Sequence, residues 1–130
     1  MKDHKKLIKE IFQNIFESPG YNEAIVKRYF STDYVQLVDG KTLHFNEFIK
    51  HIKAVKEAIA SMSVTFDTIA QDNDIIFTNH RVTATTKEGR TSEVQVIAEF
   101  HIQGGQINYC NELTRQISGD PREGDLGSRH

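Results

Sequence analysis

The chain has 130 residues, 38% of them hydrophobic and 26% charged, a size and mix that enclose one core and exclude both a multidomain arrangement and general disorder. Its 16 Lys and Arg stand against 18 Asp and Glu, a formal charge of −2 that supplies no field for polyanions and sets nucleic acid aside as a partner. One cysteine, Cys110, has no intrachain partner for a disulfide or a structural zinc site. No stretch reaches the ~18 apolar residues of a membrane span, and charge interrupts the N-terminal residues that a signal peptide would need. A reducing, cytoplasmic home away from the membrane is the expectation.

From Lys6 to Phe16 the residues Leu7, Ile8, Ile11, Phe12, Ile15 and Phe16 recur at helical spacing, and Ser18-Pro19-Gly20 ends that helix. A second helix is expected from Tyr21 to Phe30 on the stripe Ile25, Val26, Tyr29 and Phe30, closing at Ser31-Thr32-Asp33. Tyr34–Val38 has strand composition, Asp39-Gly40 reads as a turn, and Thr42–Phe45 pairs back. Asn46 is placed to cap a third helix that carries Phe48, Ile49, Ile52, Val55 and Ile59 and ends near Ala60. Breaks at 71–74, 87–90 and 103–106 then divide the remainder into four long strands, an antiparallel meander. From Ser118 the turn formers and charges of 118–130 predict a loose tail after a domain spanning 1–117. The expected fold class is α+β, three N-terminal helices packed on a curved four- to six-stranded mostly antiparallel sheet, shaped as a cone with a mouth.

The order helix, helix, short strand pair, helix, four strands resembles that of the nuclear transport factor 2-like superfamily. The wording Tyr29-Phe30, Asp33-Tyr34-Val35-Gln36, Phe45-Asn46-Glu47-Phe48 and Gly104-Gly105-Gln106-Ile107 is similar to its SnoaL-like branch. The resemblance implies a pocket between helices and sheet, with an acid or base carboxylate on the last strand where Glu112 stands. It implies isomerase, cyclase, dehydratase or hydrolase chemistry, or a pocket with no catalysis at all. The usual histidine and tryptophan before that acid are replaced by Cys110 and Asn111. Compared with limonene-epoxide-hydrolase-like members, Tyr34 and Gln36 resemble the Tyr and Asn that hold a water, and Arg81 and Glu112 resemble an arginine and a carboxylate. Thr83 stands where the second acid would be.

Taken on its own, the two-residue strand period puts Asn108, Cys110, Glu112 and Thr114 on one face of the last strand, and Asn79, Arg81 and Thr83 on one face of the second long strand. Glu112 as general base, with Arg81 and Tyr34 as polarising groups and Gln36, Asn79, Thr83, Cys110 and Asn108 as ligand contacts, is the expected site. Arg81 also suits a cross-strand ion pair, and His80 alternates away from Arg81. A Gly104-Gly105 turn pairs Ile102 with Ile107 and His101 with Asn108, which gathers Val94, Val96, Ala98 and Phe100 on the face opposite Glu112. Either that apolar face takes the helices, or it lies outside and is buried in a homodimer. Six histidines show neither His-x-His nor Glu-x-x-His spacing, and no phosphate loop is present, so neither a metal nor a cofactor is expected. The expected partners are a small apolar, carbonyl-bearing ligand and a second copy of the chain; the alternative function is a non-catalytic binding or dimerising module.

Overall fold

The computed structural model describes residues 3–119. Helix α1 (Lys5–Ile11) runs straight into a π-helical segment, Phe12–Glu17, whose wider turn brings both Phe12 and Phe16 toward the interior. The Lys56 ammonium closes this segment by donating to the carbonyl of Phe16 at 2.7 Å and to that of Ser18. Helix α2 (Glu23–Tyr29) is shorter than its stripe predicts, because the Asn22 side chain accepts from the amides of Ala24 and Ile25 and so sets its start. Phe30 already belongs to strand β1 (Phe30–Val38), so Ser31-Thr32-Asp33 is strand rather than loop.

Asp39 and Gly40, with φ of 51° and 84°, form the two-residue turn into β2 (Lys41–His44). Helix α3 (Phe45–Ala58) is capped at His44, whose amide donates to Glu47 Oε1 at 3.1 Å; Asn46, the residue expected to cap, is inside the helix. The meander follows as β3 (Ile59–Asp72), β4 (Ile75–Thr86), β5 (Thr91–Gln103) and β6 (Gln106–Ser118). Ser118 thus closes β6, and residues 120–130 of the expected tail lie outside the described residues.

The six strands form one sheet in the order β2-β1-β6-β5-β4-β3, antiparallel throughout except that β1 runs parallel to β6. The α+β arrangement is as expected, with helices on the inner face of a curved sheet. Register irregularities lie between Ile59 and Ser61 and between Phe66 and Thr68 on β3, and between Ile107 and Tyr109 on β6. Each adds a residue on one strand, which bends the sheet. Ile8, Ile11, Val26, Phe48, Ile52, Ile76 and Ile107 fill the space beneath the helices. No helix among the described residues is long and apolar enough to cross a membrane.

Candidate functional site

The bulge at Asn108 decides which side chains meet. Ile102 faces Ile107 as the glycine turn predicts, but His101 faces Tyr109 instead of Asn108, so the strand slips by one residue. Beyond the slip Phe100 pairs with Cys110, Ala98 with Glu112 and Val96 with Thr114. Glu112 therefore shares the inner face with Val94, Val96, Ala98 and Phe100, and the two-face conflict posed by a regular strand disappears.

A cavity of about 100 Å³ lies between this face, α3 and the π-helical segment. Phe12, Phe16, Phe30, Phe48 and Phe100 contribute five aromatic rings to its wall, and among the described residues Glu112 is the single carboxylate lining it. Among the described residues no lysine or arginine lines it. Parallel pairing of Gln36 with Cys110 and of Val38 with Glu112 sets Tyr34 and Gln36 beside the acid. The Tyr34 hydroxyl donates to Gln36 Oε1 at 2.7 Å, and Gln36 Nε2 donates to Glu112 Oε1 at 3.2 Å. This relay fixes the orientation of the amide and ties one carboxyl oxygen of Glu112 to it. Tyr34 is held by ring contacts at 4.8 Å to Phe30 and 4.6 Å to Phe48.

The turn between β1 and β2 anchors the acid from the other side. The Asp39 amide donates to the Glu112 carbonyl at 3.0 Å, and the Asp39 carboxylate accepts from both the amide and the hydroxyl of Thr114. Burial, followed by the negative charge of Asp39, pushes the Glu112 carboxyl up to about 8. The group is packed among protein atoms and partly accessible, and it lines the cavity. Burial likewise raises the Cys110 thiol and the Tyr34 hydroxyl well above their ordinary values, so Cys110 is a neutral thiol, unsuited to act as a nucleophile.

Of the residues expected at the site, Glu112, Tyr34, Gln36 and Cys110 come together in the cavity. Arg81, Asn79, Thr83 and Asn108 do not. Strand β4 turns Ile76, Thr78, His80, Val82 and Ala84 inward, which sends Asn79, Arg81 and Thr83 to the outer face. There Arg81 makes a bidentate pair with Asp67 at 2.9 and 3.1 Å, Asn79 accepts from Gln95, and Thr83 reaches Glu93. Asn108 is the residue added by the bulge and binds Gln103 at 3.0 Å. The cavity instead receives His80, placed elsewhere by sequence reasoning, together with His51 from α3. The signal for His80 was present. The hairpin through 87–90 pairs it with Val96, so an inward apolar face of β5 carries His80 inward too.

A curved sheet with helices on its inner face and a cavity between them is the architecture of an α+β cone. The sequence model of the SnoaL-like domain, within the nuclear transport factor 2-like superfamily, matches residues 20–109, and the chain belongs to that family. The match stops three residues short of Glu112. A Schizosaccharomyces pombe protein described as uncharacterised is 28% identical over 127 residues, covering 98% of this chain and 97% of that one. Two solved structures share the fold at low identity. A candidate polyketide cyclase of Streptomyces antibioticus superposes with a TM-score of 0.72 at 14% identity, covering 87% of this chain and 92% of its own. An M. tuberculosis LEH-like epoxide hydrolase superposes with a TM-score of 0.68 at 15% identity, covering 94% and 86%.

Proposed function

We propose that the chain binds a small, apolar, carbonyl-bearing molecule in the aromatic cavity and moves a proton on it through Glu112, in the manner of an isomerase, cyclase or hydrolase. The observation that carries this reading is the Tyr34–Gln36–Glu112 relay, which holds a single acid against a largely apolar space. A carboxyl held near 8 exchanges its proton easily at neutral pH, and about a tenth of it is ionised there and able to act as base. Structures of the same fold described as a polyketide cyclase and an epoxide hydrolase are in keeping with small-molecule chemistry without fixing the reaction. Arg81 has no part in it, being engaged by Asp67 on the other face.

Cyclohexanone in deuterated water provides the test, since a base at Glu112 accelerates deuterium incorporation next to the carbonyl. The expected result, followed by proton NMR, is exchange faster than in buffer and lost in Glu112→Gln. Exchange at the buffer rate with ketone bound would favour the second reading, a binding module, which the presence of one acid without a second carboxylate or an arginine in the cavity supports. In either reading the chain works in the cytoplasm as a homodimer through the outer sheet face. The exposed Phe77, Ile97 and Leu113 support that assembly.

A further inference from the structure

Resting on the cavity reading above, we propose that His80 is the second ligand-binding residue of the site and selects an uncharged ligand with two oxygen functions at opposite ends, one held by Glu112 and the other by the His80 ring. His80 is 1% exposed, lines the same cavity, and is clamped by ring contacts at 5.0 Å to Phe12 and 5.3 Å to Phe66. Its Nδ1 is hydrogen-bonded to Thr78 Oγ1 at 2.8 Å, itself a buried group, which fixes the ring; with Thr78 donating, the ring proton sits on Nε2, and that N–H is the donor offered to the ligand. A buried imidazole held among aromatic rings gives little to the core that a phenylalanine would not give better, so the polar atom needs a partner of its own.

The sheet register places the two groups. Thr78, Ala98 and Glu112 form one row across β4, β5 and β6; His80, Val96 and Thr114 form the next. Two strand steps of about 4.8 Å and a two-residue rise of about 3.3 Å each put the backbone positions of His80 and Glu112 roughly 12 Å apart. Both side chains rise into the cavity from that inner face, so their polar ends stand apart on either side of a space of the order of a six-membered ring that bears oxygens at opposite positions. The charge of the ligand follows from the wall: with Glu112 and no lysine or arginine, a carboxylate or phosphate entering the cavity loses its hydration and gains no counter-charge.

The test compares cyclohexane-1,4-dione, cyclohexanone and 4-oxocyclohexanecarboxylate, with Glu112 and His80 side-chain signals followed by NMR. The expected result is that the dione binds about fivefold more tightly than cyclohexanone, as one added hydrogen bond allows, shifts both residues, and that the carboxylate binds far more weakly. His80→Phe should remove the preference for the dione while cyclohexanone still binds, and His80→Gln, which keeps a donor, should retain part of it. Equal affinity for dione and cyclohexanone, or a dione that shifts Glu112 and leaves His80 unmoved, would overturn the assignment of His80 while leaving the cavity reading intact. Saturating probe that shifts neither residue would overturn both.

Discussion

Glu112 and His80 depart from their ordinary titration in opposite senses, and each leaves its own mark on stability. Because the folded state holds the Glu112 proton up to about 8 against an ordinary 4.5, the unfolded chain releases that proton first as pH rises. Its contribution is full below about 4.5 and is lost on the way to 8. Glu112→Gln is therefore expected to be more stable than the parent at about pH 9, by roughly 1–3 kcal/mol in urea titrations, and little changed at about pH 4. A parallel pH dependence of variant and parent would contradict the burial of this acid. Burial lowers His80 from 6.5 to about 4, so the fold keeps it neutral where the unfolded chain is already charged. Its contribution is present above 6.5 and lost as pH falls toward 4, and His80→Gln should flatten that acid limb. Tyr34→Phe removes the hydroxyl that fixes the Gln36 amide. It is expected to cost about 1 kcal/mol and to slow any Glu112-dependent exchange, because the amide can then turn its oxygen toward the acid; unaltered exchange would show the relay to be dispensable.

At the scale of elements, the face that Glu112 takes is set by how β6 absorbs one extra residue, Asn108. Deleting Asn108 leaves the pairs His101–Tyr109, Phe100–Cys110 and Ala98–Glu112 in an unbroken ladder, so Glu112 stays on the inner face and Leu113 on the outer one. The variant is expected to keep the ketone-induced shift of Glu112 in a chain that circular dichroism shows to be folded; loss of that shift would contradict the reading of Asn108 as an inserted residue. The same feature explains what the sequence disclosed. Apolar stripes, the Asp39-Gly40 and Gly104-Gly105 turns and the alternation of β5 were legible, and with them the order of elements and the placing of Glu112, Tyr34, Gln36 and Cys110. The faces of β4 were not, since Ile76 and Ala84 on one side are matched by Phe77 and Arg81 on the other and neither reads as core alone. Nor does any residue type announce a bulge, so Arg81, Asn79, Thr83 and Asn108 joined the expected site through a period that the chain itself interrupts. Helix ends failed for a local reason: Asn22 and Glu47 compete for the caps and shorten α2 and advance α3.

For the whole molecule, the sheet separates two chemistries. The inner face holds the cavity; the outer face carries Leu113 at 64%, Ile97 at 50% and Phe77 at 45% exposure, with Ile97 and Leu113 directly paired across β5 and β6. Around them the Arg81–Asp67 pair and the Gln95 contacts to Asn79 and Arg115 form a polar ladder. A self-complementary patch of this kind predicts a dimer by light scattering and a monomer for Leu113→Glu. A monomeric parent chain would contradict it. The cone itself is indifferent to chemistry; in this one the surroundings of Glu112 keep the acid protonated near neutrality. Carbon-13 NMR titration of the Glu112 carboxyl measures that property directly. A midpoint near 8 that falls when Asp39 is replaced by asparagine is the predicted result; a midpoint at the ordinary carboxylate value would contradict the account.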